Sequence, residues 1–351
     1  MRYLNLGTVD ARVSQAVYHA LAQQMRPDHE STLITVSPDR PYVCVGYHQL
    51  ASREIDRQFC EERQIPIARR YVGGGAVYLD RDQVFWHLLL PRPIGTVEQL
   101  YRHVLQAPIV TYRQMGIPAD FRPVNDIVVG PRKIGGTGAS TIGTTTVIVG
   151  SLMFDFDVEI MARVLNVPSE KFRDKVISSL RDYMTTIPRE LTSPPRRDQV
   201  VAALVTNFAG ILDESIHLDR LSHSEEMVVQ EYARRLFDPD FVFQGESGLE
   251  SPGVKIRDSV YVREGMFKAP GGLLRLLYRV NEGIFDDVHL SGDFFMQPWD
   301  SPALAAFENH LKGQDAREDN VLQESQRLLQ QVSIPGVSAA NIVECFRRAE
   351  L

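Results

Sequence analysis

The stretch Arg69-Arg70-Tyr71-Val72-Gly73-Gly74-Gly75-Ala76-Val77-Tyr78 sets two adjacent guanidinium groups ahead of three consecutive glycines. Three glycines in a row cost backbone entropy and pack no side chain, so a chain keeps them for a tight turn or a close approach of its backbone to something else. Bare N–H groups beside fixed cations can cradle an anion. The planar fork of arginine suits phosphate or carboxylate, because it donates two hydrogen bonds at once. The competing reading is a glycine-rich hairpin turn with two solvated arginines.

A second group lies further along, in Asn125-Asp126 and Lys133-Ile134-Gly135-Gly136-Thr137-Gly138-Ala139. A lysine beside glycines suits phosphate. This is not a P-loop, because the lysine precedes the glycines instead of following them. Gly136 and Gly138 lack the third glycine of a dinucleotide fingerprint. Lys133 reads either as a phosphate ligand or as a solvated turn lysine. Asp126 reads as a strand-edge carboxylate or as a Mg²⁺ ligand beside phosphates. Asn125 reads as a turn residue or a ligand contact.

These residues must be positioned by a chain of 351 residues, long enough for one large domain and a small one. Periodicity predicts an amphipathic helix over 10–26 with Asp10 as N-cap, strands at 31–36 and 42–46 lying side by side, and a helix over 51–64 with Ile55 and Phe59 inward. Residues 84–90 read as a buried strand, with His87 a core residue of no assigned role. A long helical segment over 96–116 should break at Pro108. Strands follow at 124–129 and 144–155, then helices at 157–165, 197–213 and 223–236. Turn formers between 238 and 253 mark a boundary. Short strands at 254–256, 259–262, 273–280 and 284–290, then helices at 303–311 and 321–332, suit a small α+β domain. The expected organisation is therefore a domain over 1–240, a linker over 241–253 and a second domain over 254–351.

Composition narrows the function classes. A formal net charge of −7 and a pI of about 5.8 argue against nucleic-acid binding, though not against a nucleotide as small ligand. Cys44, Cys60 and Cys345 are odd in number and far apart, so a disulfide framework or zinc site is not expected and a reducing cytoplasm fits. No uninterrupted apolar run approaches a membrane span, and the N-terminus lacks the regions of a signal peptide.

In combination the motifs resemble the lipoate–protein ligase A family, whose pattern is R-R-x-x-G-G-G-x-V, then N-D-x, then G-x-K-I-x-G. Gly46-Tyr47-His48-Gln49 resembles the family's segment after the second strand. Gly150-Ser151-Leu152-Met153 resembles its H-G-T-L-L strand, with Val149 in place of the histidine. Lys268-Ala269-Pro270-Gly271-Gly272-Leu273 and Ser291-Gly292-Asp293-Phe294-Phe295 look like its accessory domain, so the resemblance spans nearly the whole chain. Two motifs depart from the pattern. Leu79-Asp80-Arg81-Asp82-Gln83 stands for H-D-x-G-N, and the lysine motif is one residue longer than the common K-I-S-G-S-A.

The resemblance implies an α+β fold: a mixed-sheet catalytic domain of the biotin/lipoate protein ligase type with a small α+β C-terminal domain. It implies a cytoplasmic, ATP- and Mg²⁺-dependent ligase that activates lipoate to lipoyl-AMP. The lipoyl group then passes to a lysine of a lipoyl domain or of a lipoate-binding acceptor like the glycine-cleavage H protein. Lys133 would be catalytic. Arg70, Gly73, Gly74, Gly75, Ala76, Val77, Tyr78, Asn125, Asp126, Lys133, Gly138 and Ala139 would bind ATP and lipoyl-AMP, with Asp126 also a Mg²⁺ ligand. Nucleic acid and membrane are not expected partners. The rivals are an ATP-independent octanoyl- or lipoyltransferase of the same fold, which would need a cysteine, and a non-catalytic binding factor, which could dispense with Arg70 and Lys133. A biotin ligase would carry G-R-G-R-x-G, which is absent.

Overall fold

The computed structural model describes residues 1–92, 97–123, 125–167, 169–246, 255–257 and 260–349. They form two compact units that are not consecutive in sequence: Met1–Cys44, Ile55–Arg70 and Val77–Val242 make the first, and Val45–Glu54, Tyr71–Ala76 and Phe243–Leu351 the second.

In chain order the strands of the first unit are β1 (Arg2–Val9), β2 (Thr32–Pro38), β3 (Tyr42–Val45), β4 (Ile67–Arg69), β5 (Val77–Leu79), β6 (Gln83–Leu90), β7 (Ala119–Arg122), β8 (Asp126–Val129), β9 (Arg132–Ile142), β10 (Thr145–Met153) and β11 (His217–Asp219). Eight of them form one sheet in the order β11-β1-β2-β6-β10-β9-β8-β7. β1 runs parallel to β2 and β11, and the other pairs are antiparallel, so the sheet is mixed. The expected neighbour relation of 31–36 and 42–46 does not hold. The edges of β2 are taken by β1, a strand that sequence reading overlooked, and by β6, whereas β3 joins β4 and β5 in a separate three-stranded sheet.

β6 is buried on both faces, as a central strand should be. Trp86, Leu88 and Leu90 share a core with Val104, Tyr112, Leu204 and Phe208, and the helix Arg197–Leu212 packs there. On the other face Phe85 joins Ala11, Val36 and Tyr42. His87 meets the helix Ala11–Gln24, its ring 4.7 Å from that of Tyr18. That helix begins where expected, the Asp10 carboxylate accepting from the Arg12 amide at 2.8 Å.

Two expected helices are divided. Residues 51–64 form Ala51–Glu54 and Arg57–Glu62, because Asp56 caps the second by accepting from Phe59 N at 3.0 Å. Ile55 is buried, but Phe59 only partly so. The long segment expected over 96–116 forms Val97–Val104 and Gln106–Gln114. The break precedes Pro108, which sits in the first turn of the second helix, where a missing N–H leaves no intrahelical bond unmade. Glu170–Tyr183 is a helix that sequence reading missed, with Phe172 and Tyr183 exposed.

The second unit contains β12 (Lys255–Arg257), β13 (Val260–Ala269), β14 (Gly272–Asn281) and β15 (Ile284–Gly292) in one antiparallel sheet. The helices Ala303–Leu311, Glu318–Gln331 and Ala339–Arg347 contribute Phe307, Leu328 and Ile342 to a core with Phe285 and Phe294. Residues 247–253 of the expected linker, together with 96, 124, 254 and 259, lie outside the described residues. Among those described, no helix is long and apolar enough to cross a membrane.

His19 and His87 are buried, and burial lowers the pKa of each to about 3. Both stay neutral in the fold while the unfolded chain protonates them near the ordinary histidine value. Each therefore contributes stability that is present above about pH 6.5 and is lost as pH falls toward the folded value. Denaturant titrations at several pH values between these limits should show stability falling with pH. His87→Phe should flatten the slope by up to about 1.4 kcal/mol per pH unit; an unchanged slope would refute this.

Candidate functional site

Lys133 and Asp126 lie on neighbouring antiparallel strands. Ile127 faces Gly135 and Val128 faces Lys133, so Ile134 is the extra residue of a β-bulge, a device that re-aims side chains. The Lys133 ammonium stands 2.7 Å from Oδ1 of Asp126. Oδ2 of Asp126 accepts from Arg122 at 2.8 Å and from the Tyr183 hydroxyl at 3.0 Å. Burial opposes ionisation of Asp126, yet Lys133, Arg122 and Tyr183 together hold its pKa below the ordinary carboxylate value. The Lys133 carbonyl accepts from Thr185 N at 2.9 Å, which pins the backbone.

Asn125 and Thr137 clasp each other across the same pair of strands. The Asn125 amide donates to Thr137 O, and the Thr137 hydroxyl donates to Asn125 O at 2.6 Å. A Cβ on Gly136 would stand 3.1 Å from Cε and Nζ of Lys133, so the bare glycine leaves room for the ammonium. The second glycine cluster is thus not a turn but the interior of β9, where Gly138 and Ala139 pair with Val149 and Ile148 of β10.

The two arginines are both buried, which excludes the solvated-turn reading. Their environments differ. Arg69 is 1% exposed, and its guanidinium donates to the carbonyls of Phe241 and Val242, a structural arrangement. Arg70 follows β4 and donates to Cys44 O at 3.0 Å. Val77 and Tyr78 form β5 with Leu79, and Tyr78 is buried. Asp80, at the end of that strand, was not weighed as a site residue. Burial first, with the nearby Asp82 and Asp155 adding to it, raises its pKa to about 6, the kind of perturbation that marks candidate functional groups. Its only sequence signal was the departure at Leu79-Asp80-Arg81.

Within the second unit, the glycine stretch meets other backbone. A Cβ on Gly46 would collide with Gly74 O, and one on Gly73 would stand 3.0 Å from Phe295 Cα. Gly74 itself takes φ +91°. Gly75 and Ala76 continue this segment. Aromatic rings brace it: Tyr71 stacks on Trp299 at 4.4 Å, Tyr47 meets Trp299 edge-on at 4.6 Å, and His48 stacks on Phe294 at 4.9 Å. Sequence reading saw Tyr47 and His48 but had no means to pair them with rings so distant in the chain.

Asp126 fits Mg²⁺ poorly, because two cations and a phenol already surround its oxygens. Among the described residues no group of three or more His, Cys, Asp or Glu side chains could hold a metal ion. Residues 10–209 match the model of the lipoyl protein ligase A/B catalytic domain.

The chain belongs to the lipoyl protein ligase A/B family.

It is 28% identical over 242 residues to lipoate-protein ligase A subunit 1 of Thermoplasma acidophilum, covering 66% of this chain and 90% of that protein. It is also 25% identical over 264 residues to octanoyltransferase LipM of Kyrpidia tusciae, covering 68% of this chain and 96% of that one. Among solved structures it resembles a chain of the bipartite lipoate protein ligase and E2 lipoyl domain of T. acidophilum, with TM-score 0.64, 26% identity and 72% and 98% coverage of the two chains. A lipoate-protein ligase A bound with ATP has TM-score 0.60 at 22% identity, covering 69% and 98%. LipL1 of P. falciparum in complex with lipoate has TM-score 0.71 at 15% identity, covering 99% and 98%. The expected α+β, mixed-sheet fold of the biotin/lipoate ligase type is therefore the fold of this family member.

The Asp126 carboxylate contributes stability that is present above about pH 4 and is lost as pH falls through its depressed folded pKa. Asp126→Asn should cost about 1 to 3 kcal/mol at pH 7, and the gap from wild type should close as pH falls below about 4. Chemical denaturation at pH 7 and pH 3 measures it. A gap of equal size at both would show that the carboxylate charge is not what Lys133 and Arg122 hold.

Proposed function

We propose that this protein is an ATP-dependent lipoate–protein ligase that forms lipoyl-AMP. The observation that carries this choice over the acyl transferase concerns the thiols. All three cysteines are buried, and burial raises their pKa values, to about 12 for Cys60 and Cys345. A buried, protonated thiol is a poor nucleophile, so a covalent thioester route lacks its attacking group. The adenylate route needs none.

In the first step a carboxylate oxygen of lipoate attacks the α-phosphorus of MgATP. The bond from that phosphorus to the bridging oxygen breaks, and pyrophosphate leaves with the electron pair. The metal enters with the nucleotide as part of the substrate. In the second step the amine of an acceptor lysine attacks the lipoyl carbonyl, AMP leaves with the C–O electron pair, and the amine gives up a proton.

Both steps gather negative charge, which fixed cations stabilise without reorganising. Arg70 binds phosphate. Lys133, aimed by the bulge and Asp126, bridges phosphate and the lipoyl carbonyl oxygen. Gly75, Ala76, Val77 and Tyr78 lie along the nucleotide through backbone contacts, and Gly73 and Gly74 let that backbone approach it. Asn125, Gly138 and Ala139 line the adenylate on the β8–β9 side. The acceptor is a lipoyl domain, as the partner of the T. acidophilum ligase supports, or an H-protein-like lipoate-binding protein.

Incubation of the purified protein with lipoate, ATP and Mg²⁺, without acceptor, should yield lipoyl-AMP and pyrophosphate by mass spectrometry. Lys133→Ala should lower the rate about 100- to 1,000-fold. No adenylate, with transfer from octanoyl carrier protein instead, would replace the ligase by the transferase. Gly136→Ala pushes only on the flexible end of Lys133. It should leave thermal stability near that of wild type yet slow lipoyl-AMP formation by up to about 100-fold, the effect of misplacing a reacting group by an ångström. Equal rates would show that the ammonium need not sit where Gly136 lets it.

A further inference from the structure

Tyr183 is the last residue of the helix Glu170–Tyr183, and 42% of it is exposed. A ring on the surface of a helix needs no special reason. The placement of its hydroxyl does. That group donates to Oδ2 of Asp126 at 3.0 Å and accepts from the Arg122 guanidinium at 2.7 Å. The same guanidinium donates to Oδ2 at 2.8 Å and lies 5.2 Å from the centre of the tyrosine ring. Arg122 from β7, Asp126 from β8 and Tyr183 from the helix thus close a triangle on one carboxylate oxygen. The other oxygen, Oδ1, holds the Lys133 ammonium at 2.7 Å. All four residues belong to the first unit.

The chain that leaves the helix runs beside β9. Met184 bridges to Lys133 in parallel, and Thr185 N donates to Lys133 O at 2.9 Å. Glu190 ties the same segment to β9, accepting from Arg132 at 2.7 Å and from the Thr185 hydroxyl. These contacts fix the backbone of Lys133 without any help from the tyrosine hydroxyl. What the hydroxyl adds concerns the carboxylate. The terminal torsion of an aspartate is soft, with a broad and roughly two-fold preference. An arginine fork alone can take both oxygens of a carboxylate at once. With the hydroxyl between them, Arg122 and Asp126 meet through Oδ2, and Oδ1 stays turned to the lysine.

We propose that Tyr183 is a positioning residue that holds Asp126 so that Oδ1 aims the Lys133 ammonium; its effect on rate rests on the adenylation reading above. Tyr183 touches no reacting atom and moves no proton in either step. A lysine aimed less well still meets its ligand in the ground state but meets the developing charge of the transition state less fully. Loss of the hydroxyl therefore falls on kcat more than on KM.

The test uses Tyr183→Phe in the full-length protein, which keeps the ring against Arg122 and removes only the hydroxyl. Trace labelling with acetic anhydride, mapped by peptide mass spectrometry, reads the hold on Lys133 without turnover. Lys133 should be acetylated about three- to tenfold faster than in wild type, the worth of one hydrogen bond. Lys268, 69% exposed and in the other unit, should keep its wild-type rate. In lipoyl-AMP formation kcat should fall by about the same factor, with KM for ATP and lipoate within about twofold of wild type. In a Lys133→Ala background, Tyr183→Phe should cost nothing more, because the two act as one unit. Acetylation of Lys133 at the wild-type rate in Tyr183→Phe, or an equal fractional loss of kcat with and without Lys133, overturns the proposal. Faster acetylation of Lys133 in a protein that forms no lipoyl-AMP supports this hold on the lysine while overturning the ligase reading.

Discussion

The arrangement of the glycine stretch depends on one steric constraint: the Cα of Gly46 lies so close to the carbonyl of Gly74 that no side chain can stand between them. Two strand-flanking segments, Val45–Glu54 and Tyr71–Ala76, are thereby locked together, and both belong to the unit built around the C-terminal sheet. Further contacts follow from that lock. Gly292 N donates to His48 O at 3.0 Å, and Glu246 caps the Ala51–Glu54 turn through the amides of Ala51 and Ser52. Arg275 of β14 pairs with both Glu54 and Glu264. A loop of bare glycines is usually the most mobile part of a chain. Here the stacked rings and the close approach of Gly46 to Gly74 hold it in one geometry. Such preorganisation is what makes backbone dipoles effective toward an anion.

The first unit solves the complementary problem of holding cations inside protein. Charges are costly to bury unless paired and hydrogen-bonded. Arg69 is satisfied by main-chain carbonyls, and Lys133 by a carboxylate that also takes Arg122 and Tyr183. The local balance at Asp126 is therefore one negative charge against two positive ones. A surplus cation in a half-buried place is a standing attraction for an anionic ligand, and Lys133, at 24% exposure, and Arg122, at 34%, both keep part of their surface open. The same surplus explains why this carboxylate is a poor choice for a metal ion.

Much of this was legible in the sequence because the signals were local. β6 announced itself as a run of bulky apolar residues, the helix Ala11–Gln24 by its cap and spacing, and the motif residues by type and order. What escaped was non-local. β1 could not be paired with β2 and β11 without knowing the sheet, and its own burial is uneven. Glu170–Tyr183 has few buried side chains to set a period. Arg69 and Arg70 are neighbours in sequence, yet the main-chain carbonyls they meet, of Phe241 and Val242 for one and of Cys44 for the other, come from distant positions that no local signal reveals. Pro108 was read correctly as a breaker, but the break falls before it: a proline disrupts the turn that precedes it and is tolerated in the turn that it starts.

The lysine motif shows how an extra residue can be carried without moving the chemistry. In a strand, side chains alternate between faces, so one inserted residue would turn every later side chain over. β9 accommodates such an extra residue by a bulge at Ile134, between Lys133 and Gly135. Ile134 itself is fully buried in the core. Beyond the bulge, Gly136 is again opposite Asp126, and Thr137 reaches Asn125. The bulge thus keeps Lys133, Gly136 and Thr137 on the same small patch. A motif read as letters does not show this relation, which the strand pairing sets: an ammonium beside a carboxylate, with a glycine that leaves it room.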